Sequence, residues 1–81
     1  MVHRDEEQLR LDWLWRFHSA AYWMCIFWAT KKDDRRDQES IEETLRERHA
    51  KLQDPVAEDF RKAVRILIPT WEPTREENAD G

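Results

Sequence analysis

His18 and Cys25 are the residues whose types could do chemistry together, since an imidazole beside a thiol is the pairing that generates a thiolate nucleophile. They lie seven positions apart. On a helix that spacing spans about 10 Å, whereas a base and the nucleophile it activates must come within about 3 Å. The pair therefore reads as a packed histidine and a buried thiol. The three histidines, His3, His18 and His49, are scattered over the amino-terminal segment and two different predicted helices. No His-x-x-x-His or Glu-x-x-His spacing sets two ligands on one helix face, so no metal site is expected. Acidic residues are plentiful but stand among other charges, not among apolar neighbours that would raise a carboxyl pKa. The only glycine is Gly81, which removes any glycine-rich loop able to cradle a phosphate. The expected protein is not an enzyme and carries no cofactor.

The elements that must position any other kind of site are dominated by residues 13–28. That stretch holds four of the five tryptophans, two of the three phenylalanines and the only tyrosine and cysteine. No Gly or Pro interrupts it, which predicts a helix. Helical periodicity puts Trp13, Phe17, Ala20, Ala21, Met24 and Trp28 on one face, and Leu11, Trp15, Tyr22, Ile26 and Ala29 on a second stripe. Leu14, His18 and Cys25 fall between the two. The polar strip consists of Asp12, Arg16, Ser19 and Thr30, and Trp23 interrupts it. An ordinary surface helix carries an apolar stripe of about 100°; this helix is apolar over more than half its circumference. It belongs in the centre of a bundle, at an oligomer interface or against lipid.

Three helices are predicted in all. The first spans about residues 5–30, with Asp5, Glu6 and Glu7 at its positive end and Lys31 and Lys32 beyond its negative end. It would be roughly 40 Å long. Residues 31–39 are expected to be a connection, because positions 33–39 contain no apolar side chain. A restart is signalled at Ser40, where Ser40-Ile41-Glu42-Glu43 matches a capping box. Asp33 or Asp34 is an earlier alternative cap, and one continuous helix from 5 to 53 is the competing arrangement. The second helix, about 40–53, has a narrow seam of Ile41, Leu45 and Leu52. The third, about 55–68, is expected to start with Asp54 as N-cap and Pro55 in the first position. It places Val56, Phe60, Ala63, Val64 and Leu67 on one face and ends before Pro69. Residues 1–73 form a single helical domain in this reading, and 74–81 a disordered tail.

Composition agrees with an all-α fold. The chain has 81 residues, 40% hydrophobic and 40% charged, with one Gly and three Pro. A chain of that length buries only about 60% of its unfolded surface, so its core is thin. The net charge is −4, and acidic and basic residues interleave in a way that suits solvated helix faces. Direct nucleic-acid binding is not expected. The lone cysteine excludes an internal disulfide and fits a reducing, cytoplasmic location. The amino terminus lacks the basic-then-apolar order of a secretion signal. Only 14 residues, 17–30, are free of formal charge, against about 20 for a membrane span. Tryptophans at both ends of the apolar run, followed by two lysines, nevertheless imitate an interfacial anchor.

These features point to protein contact. Trp13, Phe17, Met24 and Trp28 are expected to form an intramolecular core with Leu45, Leu52, Phe60, Val64 and Leu67 of the other helices. The stripe of Leu11, Trp15, Tyr22 and Ile26, flanked by His18, is then left for a partner. Trp71 either folds back onto the first helix or anchors a partner, and is counted with the interface residues. The expected architecture is a three-helix unit around a long aromatic central helix, completed by homodimerisation into a bundle. The expected role is a small adaptor, accessory subunit or inhibitor acting by surface occlusion, including against a nucleic-acid-handling partner. Membrane-surface attachment through the Trp-rich helix and a purely structural homo-oligomer are the alternatives.

Overall fold

The computed structural model describes residues 4–73; the expected tail at 74–81 lies outside the described residues. All of its regular structure is helical: α1 (Arg4–Phe17), α2 (Ser19–Thr30), α3 (Arg35–Ala50) and α4 (Val56–Leu67). α1 packs against α2 and α4, α2 against α3 and α4, and α3 against α4.

The single long first helix is in fact two. His18 leaves the helical region with φ −142° and ψ 55°, although neither Gly nor Pro is present. Little hydrogen bonding is lost at the break. The His18 N–H still donates to the Leu14 carbonyl at 2.8 Å, and the His18 carbonyl accepts from Tyr22 N–H at 3.0 Å. What the break achieves is burial. A straight helix of about 40 Å would overshoot α4, which is only about 18 Å long; folded at His18, both halves pack on α4.

The core lies along a line that looked like the margin between two aromatic stripes. Leu14, Ala21 and Cys25 are fully buried, and their spacings of seven and four residues keep them on one side of the chain. Small side chains at 21 and 25 let α2 approach its neighbours closely. Against this seam pack Leu45 of α3, Phe60, Ala63 and Val64 of α4, then Ile68 and Trp71. Trp13, Tyr22, Met24, Trp28, Ile41, Leu52 and Leu67 pack around it, partly buried. Phe17, expected in the core, is 67% exposed. It is the last residue before the break, so the change of direction turns it outward.

Trp71, counted with the interface residues but expected either to fold back or to anchor a partner, folds back: it is 1% exposed, and its ring and hydrogen-bond contacts are with α3 and α4, not the first helix. Its ring centroid is 6.3 Å from that of Phe60 and 6.0 Å from that of His49. Its indole N–H donates to the Glu42 carbonyl at 3.1 Å, which satisfies the one polar atom that burial would otherwise penalise.

The connection between α2 and α3 is shorter than expected. Asp34, not Ser40, caps α3, accepting from Asp37 N–H at 3.1 Å. The charged residues 35–39 become helical because helix requires no apolar face when polar contacts hold it. Gln38 donates to the Trp28 carbonyl at 3.0 Å, and Lys31 pairs with Asp37 at 3.3 Å. At the start of α4, Pro55 takes the cap position in place of Asp54, and no side chain caps the helix there. Arg10 of α1 meets Asp59 of α4 at 3.5 Å. Glu58, also in α4's first turn, is held below the usual carboxylate range by the Arg61 hydrogen bond at 2.6 Å, helped by the charges of Arg61 and Lys62.

Two substitutions separate core from surface among the aromatics. Trp71→Ala should lower unfolding stability by about 3–5 kcal/mol, whereas Phe17→Ala should change it by less than about 0.5 kcal/mol. Urea denaturation followed by far-UV circular dichroism measures both.

Candidate functional site

The break at His18 brings aromatic rings from two helices together at the surface. Trp15 of α1 and Tyr22 and Trp23 of α2 form a triangle, with centroids 5.4, 5.8 and 5.6 Å apart. Their planes are inclined at 67°, 78° and 85°. These are edge-to-face arrangements, in which the positive edge of one ring meets the negative face of another. The rings border a groove of about 400 Å³ whose other walls are Gln8, Leu11 and Asp12. Trp15 and Trp23 are each 46% exposed. Neither indole N–H donates a hydrogen bond among the described residues, whereas Trp28 donates to Glu42 Oε2 at 2.7 Å and Trp71 to the Glu42 backbone. The two surface tryptophans thus keep both apolar area and a donor available.

Leu11 lines the groove and is half-buried. Tyr22 leans on the core while one side faces the cluster. Ile26, half-buried, stands one turn further along α2, outside the groove lining, and exposed Phe27 lines a separate pocket with Lys31, Asp37, Ser40 and Ile41. Three of the stripe residues expected from sequence, Leu11, Trp15 and Tyr22, therefore line one groove, while Ile26, His18 and Trp71 are not part of its lining. Trp23 was missed as a member. Its signal was present, because a tryptophan in the middle of a polar strip has no reason to be there if that strip merely faces water.

His18 lies between the rings of Trp13 and Phe60, at 5.0 and 5.2 Å. Burial there, and then the nearby Arg48 guanidinium, pull its pKa below the ordinary histidine value. Cys25 is 1% exposed, and burial pushes its thiol up to about 12. No hydrogen bond joins the two, and such a thiol carries almost no thiolate at neutral pH. Among the described residues no three His, Cys, Asp or Glu side chains gather in a way that could hold a metal ion. No helix of the described residues is long and apolar enough to cross a membrane.

No protein-family profile matches the chain, and neither a curated protein nor a solved structure shows significant similarity to it.

Two measurements follow from the buried groups. His18 titrates lower folded than unfolded, so below its unfolded value near 6.5 the unfolded chain takes up the proton first and stability falls with acidification. Above that value both states are neutral and this loss vanishes. The wild type should therefore lose more stability than His18→Gln between pH 7.5 and roughly pH 5, read as the difference in urea midpoints. Cys25 should resist a chromogenic thiol reagent in the native protein and react readily once denaturant is added.

Proposed function

We propose that this chain is a non-enzymatic protein-interaction module whose contact surface is the aromatic face built by Leu11, Trp15, Tyr22, Trp23 and Ile26. The observation that carries this reading is the pair of half-exposed tryptophans with unspent indole donors, set beside each other on the rim of a groove. Tryptophan and tyrosine combine large apolar area with a polar tip and dominate the energetics of protein interfaces. A contiguous aromatic patch in water is otherwise a liability for a small domain.

The form of the role is an adaptor, an accessory subunit, or an inhibitor that occludes a partner's surface. The acidic balance of the chain, with net charge −4, favours approach to a basic surface, including one that normally receives nucleic acid. A second copy is the simplest partner. Because Leu14, Phe60 and Trp71 already close the core within one chain, dimerisation would join folded units through the aromatic face and would not be needed to complete the fold.

Light scattering over a range of concentrations tests the reading together with Trp15→Glu. The wild type should associate, and the variant should lose association with its helical content unchanged. A wild type that stays monomeric, and that captures the same proteins from a host extract as Trp15→Glu does, would overturn it. Recruitment to anionic liposomes with a blue shift of tryptophan emission would instead assign the face to lipid.

A further inference from the structure

α2 has two apolar seams on opposite sides, and the core uses one of them. Ala21, Cys25 and Trp28 face the core, fully or partly buried. By helical periodicity, Ser19, Trp23, Ile26 and Thr30 fall within about 60° of one another on the far side. Ser19, Trp23 and Thr30 are exposed, and Ile26 is half-buried. Their spacing of four, three and four residues is the pattern by which one helix seats its side chains between those of another.

This outer face is suited to a copy of itself. Among the four helices α2 alone carries no formally charged side chain, in a chain that is 40% charged. A two-fold contact sets one patch against the same patch of the second copy, so like charges near the axis repel. Within α2 there are none to oppose. The order along the seam also reads alike from both ends: hydroxyl, apolar, apolar, hydroxyl.

With two α2 helices antiparallel and the axis passing between positions 24 and 25, Ser19 meets Thr30 of the second copy and Trp23 lies beside its Ile26. On the flanks the same symmetry sets the Tyr22 ring against Ala29 and the Phe27 ring against Ala20, so large side chains meet small ones. Parallel packing would instead press the two Trp23 indoles together beside a gap between two Ser19 side chains. A partner of unrelated sequence would not call for the mirrored order.

We propose that two copies of this chain pack α2 against α2 in antiparallel order across a two-fold axis, with Trp23 of each beside Ile26 of the other. The inference rests on the interaction reading and names both the partner and the register. Trp15, edge-on against Trp23 at 5.8 Å, borders this contact, so Trp15→Glu acts on it from the rim.

The test uses the full chain with Ser19→Cys and Thr30→Cys made separately at these exposed positions. The native thiol of Cys25 is 1% exposed and stays out of the reaction. Treated with a short bismaleimide and read on a denaturing gel, an equimolar mixture of the two variants should give a cross-linked dimer. Either variant alone should give little, because its two thiols would lie roughly 16 Å apart along the helix axis. Trp23→Glu should raise the concentration needed for association by at least about tenfold, as loss of a central interface tryptophan does. Dimer linked by either variant alone, or a wild type that associates while the mixture fails to link, would overturn the inference and leave the interaction reading standing. A wild type that stays monomeric would also overturn it, and the interaction reading would then be decided by whether Trp15→Glu captures fewer proteins from a host extract.

Discussion

Two tryptophans far apart in sequence converge on one residue of α3. Trp28, in the last turn of α2, donates its indole N–H to the Glu42 carboxylate, and Trp71, beyond α4, donates its own to the Glu42 carbonyl. Between them they hold α2, α3 and the segment after α4 around the same point, over a core of Leu45, Phe60, Val64 and Ile68. A domain this small has little apolar area to spare. Its core closes only because a full tryptophan is drawn in from outside the helices and its polar atom is satisfied on arrival.

That closure decides where the remaining aromatics go. The innermost line of the folded first segment is taken by Leu14, Ala21 and Cys25, and two of these are small. Close approach of helices needs small side chains at the contact, while bulky rings fit the flanks, where they cover the core with one edge and meet solvent with the other. Trp13, Tyr22 and Trp28 take that flanking role. Trp15 and Trp23 lie further round and are left uncovered, so the surface site is the remainder of a packing problem already solved by smaller residues.

Much of this was legible from the amino-acid pattern. The all-helical class, the Phe60, Ala63 and Val64 part of the α4 face and the presence of more aromatic perimeter than a short chain can enclose all followed from composition and periodicity. Val56, expected on that face, is exposed, and Ala57 is buried in its place. The break at His18 did not, because no glycine or proline marks it and its cause is the shortness of α4, a tertiary fact. The choice of Asp34 over Ser40 as cap was ambiguous for a similar reason. Both caps are locally sound, and the contacts that favour the earlier one, Gln38 to the Trp28 carbonyl and Lys31 to Asp37, cross between elements. The largest misreading was to let ring size stand for burial. Phe17 is large and exposed, whereas Ala21 and Cys25 are small and fully enclosed.

α3 itself has one fully buried side chain, Leu45, along its sixteen residues. Much of its hold on the molecule runs through the same links that fix the segment after α4: the indole of Trp71 on Glu42, and the Arg46 guanidinium on the Glu72 carbonyl at 2.8 Å. Peeling that segment away would cost α3 both links but leave its packing against α2, with Trp28 on Glu42 and Gln38 on the Trp28 carbonyl. The segment after α4 is therefore the smaller unit of local unfolding, whose amides would exchange with solvent hydrogen ahead of those in the packed helices.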